Sequence, residues 1–150
     1  MIDKFEGQYA FLSNFYESPI EVWVSPDTQL MAPTAEHVFQ YLKTFSEEEG
    51  IEILRAKTPG QAKRLGRKCH LRKDWEEVKD YAMISVLKAK FADPELKEQL
   101  LATGNEILVE GNTWHDNYWG VCSCAKCNGD GKNRLGILLM QVREELRNDA

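Results

Sequence analysis

The chain has 150 residues, 43% hydrophobic and 29% charged, the profile of a globular domain with a sizeable core and not of a disordered polymer. Twenty-four acidic against nineteen basic residues leave a net charge of −5, which argues against a wholly basic nucleic-acid coat. No apolar run approaches the roughly 20 residues that cross a bilayer, and the start Met1-Ile2-Asp3-Lys4-Phe5-Glu6 lacks the apolar core of a signal peptide; a cytoplasmic location and no membrane partner are expected.

Extended segments and turns fill the first thirty residues. Ile20-Glu21-Val22-Trp23-Val24 alternates apolar and polar side chains as a half-buried strand does, and Ser25-Pro26-Asp27-Thr28 is turn-rich. Helices dominate from Pro33. Thr34 is positioned to cap a helix reaching Lys43 and Thr44; Ser46 with Glu49 forms a capping box for a second, ending before Thr58. Thr58-Pro59 opens a third, with proline at the first helical position. Asp74 with Glu77 opens the longest helix, along whose stripe lie Trp75, Val78, Ala82, Val86 and Phe91. Asp93-Pro94 begins another that Gly104 closes. Ile107-Leu108-Val109 reads as a strand, a loop rich in Gly, Asn and Cys runs from Gly111 to about Asn133, and a last helix spans Leu135 to Arg147. No repeat or linker interrupts the chain. One domain over residues 1–150 is expected, α+β and mostly α, with a few short strands.

Four features can carry chemistry. In the 34–44 helix, Glu36 and Lys43 are seven apart, within about 20° of one another two turns along, so a carboxylate and an amine share one stripe; a solvated helix face is the alternative. The loop Gly111–Gly120 packs Trp114, His115, Asp116, Tyr118 and Trp119 into ten residues. Aromatic faces beside a carboxylate suit a flat heterocycle, a sugar or the cation formed when a glycosidic bond breaks, while an aromatic plug with Asp116 satisfied by backbone amides explains them equally well. Residues 61–73 hold six basic side chains and no acidic one, just after the helix start at Thr58-Pro59-Gly60. A phosphate or pyrophosphate site fits there, as does a solvated cationic surface. Finally, Cys124-x-x-Cys127 is half a zinc knuckle with Cys122 as a third thiolate. A fourth ligand would come from His115, Cys69, His70 or a remote carboxylate; reduced, partly buried thiols are the alternative.

Taken in order, these pieces resemble the NADAR (YbiA-like) family. The resemblance runs from Tyr9-Ala10-Phe11-Leu12-Ser13-Asn14-Phe15-Tyr16 through residues 34–44, Pro59-Gly60-x-Ala62-Lys63-x-Leu65-Gly66-Arg67 and Asp74-Trp75-x-x-x-Lys79 to Trp114-x-Asp116-x-x-Trp119-Gly120 and Gly131-Lys132-Asn133-x-Leu135-Gly136. It covers nearly the whole chain. It implies a compact, mainly helical single domain and an N-glycosidase acting on a ribosylated base. The family takes two substrate classes: ADP-ribose on guanine in nucleic acid, and the phosphorylated ribosylamino-pyrimidine intermediates of riboflavin biosynthesis. By resemblance, Lys43 is the nucleophile that forms a transient Schiff base, with Glu36 and Asp116 as carboxylates assisting it. Asn14, Lys63, Arg64, Arg67, Trp75, Trp114 and Trp119 bind substrate, the basic ones through its phosphate. No cofactor is required, and zinc at Cys122, Cys124 and Cys127 would be structural. The opposing reading is a module that binds ADP-ribose or NAD without turning it over.

Overall fold

A computed structural model describes residues 1–149. The chain divides into two compact units, Asn14–Lys90 and Met1–Ser13 together with the chain from Phe91 onward.

The first unit opens with an antiparallel hairpin, β1 (Glu17–Ser25) and β2 (Thr28–Thr34), whose register runs from Ser25 opposite Thr28 to Glu17 opposite Thr34. Asp27 Oδ1 closes the turn by accepting from Ser25 Oγ at 2.9 Å and Thr28 Oγ1 at 3.3 Å. The sequence reading placed the helical region from Pro33, but Pro33 and Thr34 finish β2. Thr34 then caps α1 (Ala35–Tyr41), its hydroxyl accepting the His37 N–H. Next come α2 (Glu47–Leu54), α3 (Pro59–Lys68) and α4 (Trp75–Lys90). Ser46 and Thr58 cap α2 and α3 through the Glu49 and Gln61 N–H groups. The capping box at Ser46 is only half formed. Its N–H goes to Thr44 Oγ1, and the Glu49 carboxylate instead accepts from Thr44 and His70. Asp74 likewise spends its carboxylate on a bidentate pair with Arg72, at 2.6 and 2.9 Å. The buried side of α4 is formed by Trp75, Met83, Val86, Leu87 and Lys90, while Phe91 lies just past its end.

α1 packs against both strands and against α2, α3 and α4, which makes it the central element of this unit. Its His37 is fully buried and its tautomer is dictated by its partners: Nε2 donates to the Ala56 carbonyl at 2.9 Å, so Nδ1 accepts from the Thr34 hydroxyl at 2.8 Å. Burial accordingly pushes its pKa below the ordinary histidine value.

The second unit contains a 3-10 helix (Gly7–Leu12), α5 (Pro94–Ala102), the two-residue parallel pair β3 (Gly111–Asn112) and β4 (Val121–Cys122), and α6 (Arg134–Asn148). Asp93 caps α5 through the Leu96 N–H, and Gly104, at φ 63°, reverses the chain after it. The expected strand at Ile107-Leu108-Val109 is reduced to a single bridge: Ile2 donates to the Ile107 carbonyl and accepts from the Val109 N–H, both at 2.8 Å. No helix among the described residues is long and apolar enough to cross a membrane.

Candidate active site

Glu36 and Lys43 do not share a continuous helix. α1 stops at Tyr41, and Lys43 sits in a tightened turn whose N–H groups reach back three residues, Lys43 to Gln40 and Thr44 to Tyr41. The segment after it is tied down by residues just before α4. The Arg72 N–H donates to the Lys43 carbonyl at 2.8 Å, Thr44 bridges to Leu71, and the Arg72 guanidinium lies 4.3 Å from the centre of the Phe45 ring.

The Lys43 amine lies 5.9 Å from the centre of the Phe39 ring and 6.0 Å from that of Trp75, and these two rings pack on each other at 5.3 Å. Burial drives its pKa below the ordinary lysine value. The Glu36 carboxylate opposes that shift, while the Lys63 and Arg67 cations reinforce it. Desolvation wins, and the amine is biased toward its free, nucleophilic form.

Glu36 is 8% exposed and sits in the first turn of α1, its N–H bonded to the Asn14 carbonyl at 2.9 Å. Its Oε2 accepts from Gln40 Nε2 at 2.6 Å. Gln40, which sequence reasoning did not single out, is 2% exposed and rests on α3 where Gly66 has no side chain. A glutamine four residues after a glutamate on a helix is the available sequence signal. Gln40 Oε1 and Asn14 Oδ1 are buried and accept no hydrogen bond from the described residues; Gln40 Oε1 is packed against Gly66, which leaves Asn14 Oδ1 as the acceptor suited to a ligand's donor. Asn14 is otherwise held by Nδ2 donating to Met83 Sδ at 3.3 Å.

The basic segment is α3. Lys63 and Arg67, one turn apart, act electrostatically on Lys43, and Lys63 Nζ also lies 5.9 Å from the centre of the Phe15 ring. Arg64 projects about 100° round the helix from Lys63 and is exposed. A residue with no sequence signature joins the account of this unit: Lys90 is 1% exposed, its Nζ 5.7 Å from the centre of the Tyr16 ring, and burial lowers its pKa to about 7.

Trp114, Asp116 and Trp119 belong to the other unit. Asp116 Oδ1 accepts the N–H groups of Tyr118 at 3.2 Å and Trp119 at 2.9 Å, the backbone satisfaction weighed from sequence. Asn112, 4% exposed, staples the loop: its Oδ1 accepts from Trp114 and Asp116 N–H, and its Nδ2 donates to Glu110 Oε2 and the Asp116 carbonyl. Trp119 is half-buried with its ring edge-on to Tyr118 at 4.8 Å. Trp114, 58% exposed, lines a cleft of about 500 Å³ with Lys4, Glu6 and Asn112. Cys122, Cys124 and Cys127 gather in this same unit around His115.

The NADAR domain family model matches residues 2–147. N-glycosidase YbiA of Shigella flexneri serotype 5b is 44% identical over 145 residues, covering 92% of this chain and 82% of its own length. A riboflavin biosynthesis protein of Vibrio vulnificus is 36% identical over 148 residues, covering 97% of this chain and 38% of that longer protein. The NMR structure of Escherichia coli YbiA superimposes with a TM-score of 0.77 at 41% identity, over 99% of this chain and 88% of that one. With its sequence matched nearly end to end and its mostly helical α+β fold shared, the chain belongs to the NADAR family.

Proposed function

We propose that the chain is an N-glycosyl hydrolase that cleaves the bond between a base nitrogen and the anomeric carbon of a phosphorylated ribose, with Lys43 as nucleophile. The observation that carries this reading is the Lys43 amine, desolvated against Phe39 and Trp75 beside the buried Glu36. The relatives named N-glycosidase support the reaction type.

The free amine attacks the anomeric carbon as the carbon–nitrogen bond breaks, and the base departs with the bonding pair and takes up a proton. The developing positive charge on the anomeric carbon and ring oxygen is stabilised by Glu36, held in place by Gln40. Ring opening leaves the sugar as a Schiff base on Lys43; water then adds to its carbon, and the amine leaves to regenerate the enzyme. Lys63 and Arg67 hold the phosphate. Trp75 walls the site, and Asn14 Oδ1 accepts a donor from the substrate.

Of the two substrate classes, the ribosylamino-pyrimidine phosphates are favoured, because a relative that aligns with 97% of this chain at 36% identity is named for riboflavin biosynthesis. The test incubates the protein with these compounds and, separately, with guanine-ADP-ribosylated oligonucleotide, adds borohydride and takes intact mass spectra. The expected result is base release from the pyrimidine compounds and a reduced sugar adduct that Lys43→Ala abolishes. Restoration of the oligonucleotide alone would assign the other substrate. Tight binding with neither product nor adduct would replace the enzyme by a binding module.

A further inference from the structure

We propose that His115, Cys122, Cys124 and Cys127 form a structural zinc site that locks the loop carrying Trp114, Asp116 and Trp119. One ligand atom from each of the four lies within 4.8 Å of all the others. His115 Nδ1 stands 3.2 Å from Cys124 Sγ and 3.5 Å from Cys127 Sγ. Zinc–sulfur and zinc–nitrogen bonds of about 2.3 and 2.0–2.1 Å give tetrahedron edges of about 3.6–3.8 Å; the two His115 separations are within a few tenths of an ångström of these, and the 4.8 Å span of the four atoms needs to contract by about 1 Å to close a coordination shell.

The backbone is shaped to bring these atoms together. His115 adopts φ 69°, a left-handed conformation that a non-glycine residue holds only when its surroundings impose it. Asn128 at φ 51° and Gly129 at φ 85° turn the chain back after the Cys124-x-x-Cys127 turn, and Gly129 donates to the Cys122 carbonyl at 2.8 Å. Amide groups point at the sulfurs: His115 N–H at Cys122 Sγ, 3.3 Å, and the N–H groups of Lys126 and Cys127 at Cys124 Sγ. Such donors spread the charge of metal-bound thiolates. Three soft thiolates and an imidazole select zinc over magnesium or calcium. Four protein ligands close the shell, so the metal's part is structural. Cys69, the remaining cysteine, lies in the other unit and is not in the cluster.

The experiment uses the full chain purified without chelator. One zinc per chain is expected by elemental analysis. Replacement by Co²⁺ should give thiolate-to-cobalt charge-transfer bands in the near ultraviolet and the visible bands of a tetrahedral ion. Cys124→Ser and His115→Ala should weaken the metal by at least about 100-fold, beyond the 10–100-fold typical of outer-shell changes, whereas Cys69→Ser should keep it. A reduced wild-type chain that takes up neither zinc nor cobalt would overturn the proposal, as would a disulfide among the loop cysteines in freshly isolated protein. So would a cobalt spectrum that the ligand substitutions leave intact. The wild-type spectrum stands on its own should a variant fail to fold.

Discussion

Gly66 lies inside α3, where alanine is ordinarily the better helix residue by about 1 kcal/mol. Gly66→Ala is nevertheless expected to destabilise this chain. A Cβ at residue 66 would overlap Gln40 Oε1 and stand 2.8 Å from Cδ and 3.2 Å from Cβ of the same side chain. Gln40 is 2% exposed and cannot swing into water, so it must tilt away from its 2.6 Å bond to Glu36. Losing a hydrogen bond to a buried carboxylate costs about 1.5–3 kcal/mol, and overpacking adds about 1 kcal/mol or more. Set against the helix gain of about 1 kcal/mol, the net loss is about 2–3 kcal/mol, readable as a lower urea midpoint at constant slope. Glu36, no longer held, should cost turnover about 10–100-fold, with KM little changed. Adding Gln40→Ala removes the clash, so the double variant should be more stable than the two single losses sum to. A Gly66→Ala chain at least as stable as wild type, with unchanged turnover, would refute the reasoning.

Lys90→Met should remove a pH dependence of stability between about pH 7 and 10.5. The folded pKa of about 7 lies below the unfolded 10.5, so both states are protonated below about pH 7 and the whole burial penalty is present there. At about 1.4 kcal/mol per pH unit, that penalty is at most about 5 kcal/mol. It is relieved as pH rises toward 10.5, so urea midpoints of the wild type should climb over that window and those of Lys90→Met should not; equal slopes would count against it. Glu36→Gln removes the charge that raises the Lys43 pKa, and the acid limb of the kcat/KM profile should move to lower pH while the rate falls. An acid limb that moved upward would reject the pairing. Arg67→Ala should raise KM about 10-fold or more for phosphorylated substrate and little for its dephosphorylated counterpart, one charge-assisted bond being worth about 1.5–3 kcal/mol. Arg64→Ala should leave both nearly unchanged; equal effects at the two arginines would contradict the geometry of α3.

Local chemistry was legible and long-range geometry was not. Thr34, Ser46, Thr58 and Asp93 cap their helices as their positions predict, because a cap needs only its own next three residues. β2 escaped because Pro33 and Thr34 look like a helix entrance, and only the pairing with β1 makes them strand. Ile107-Leu108-Val109 has strand composition, but Ile2 gives it one bridge and no ladder. Glu36 and Lys43 were legible as a pair from their motif, though the helix that justified their alignment ends two residues short of Lys43. Of Gln40, Gly66 and Lys90, only Gln40 carries a sequence signal as a site or core residue, its spacing of four from Glu36. The first two matter through a close approach of two helices, and the third is an ordinary helix-end lysine until burial is known. The fourth partner of the three cysteines was open among several residues, and loop conformation brings in His115.

The contact of Lys90 with Tyr16 bears on the order of folding. The bridge from Ile2 to Leu108 joins residues more than a hundred positions apart, a closure whose entropy is about 4 kcal/mol plus a constant in an unstructured chain. The Asn14–Lys90 unit is continuous in sequence and leaves the ribosome before α5 and α6 do. Once it forms, Tyr16 and Lys90 lie side by side, and the open path from Ile2 to Leu108 shrinks to the short arms on either side of them. That lowers the closure entropy by about 1 kcal/mol. A lysine buried against an aromatic ring thereby serves as a clasp that holds the two ends of the Asn14–Lys90 unit together.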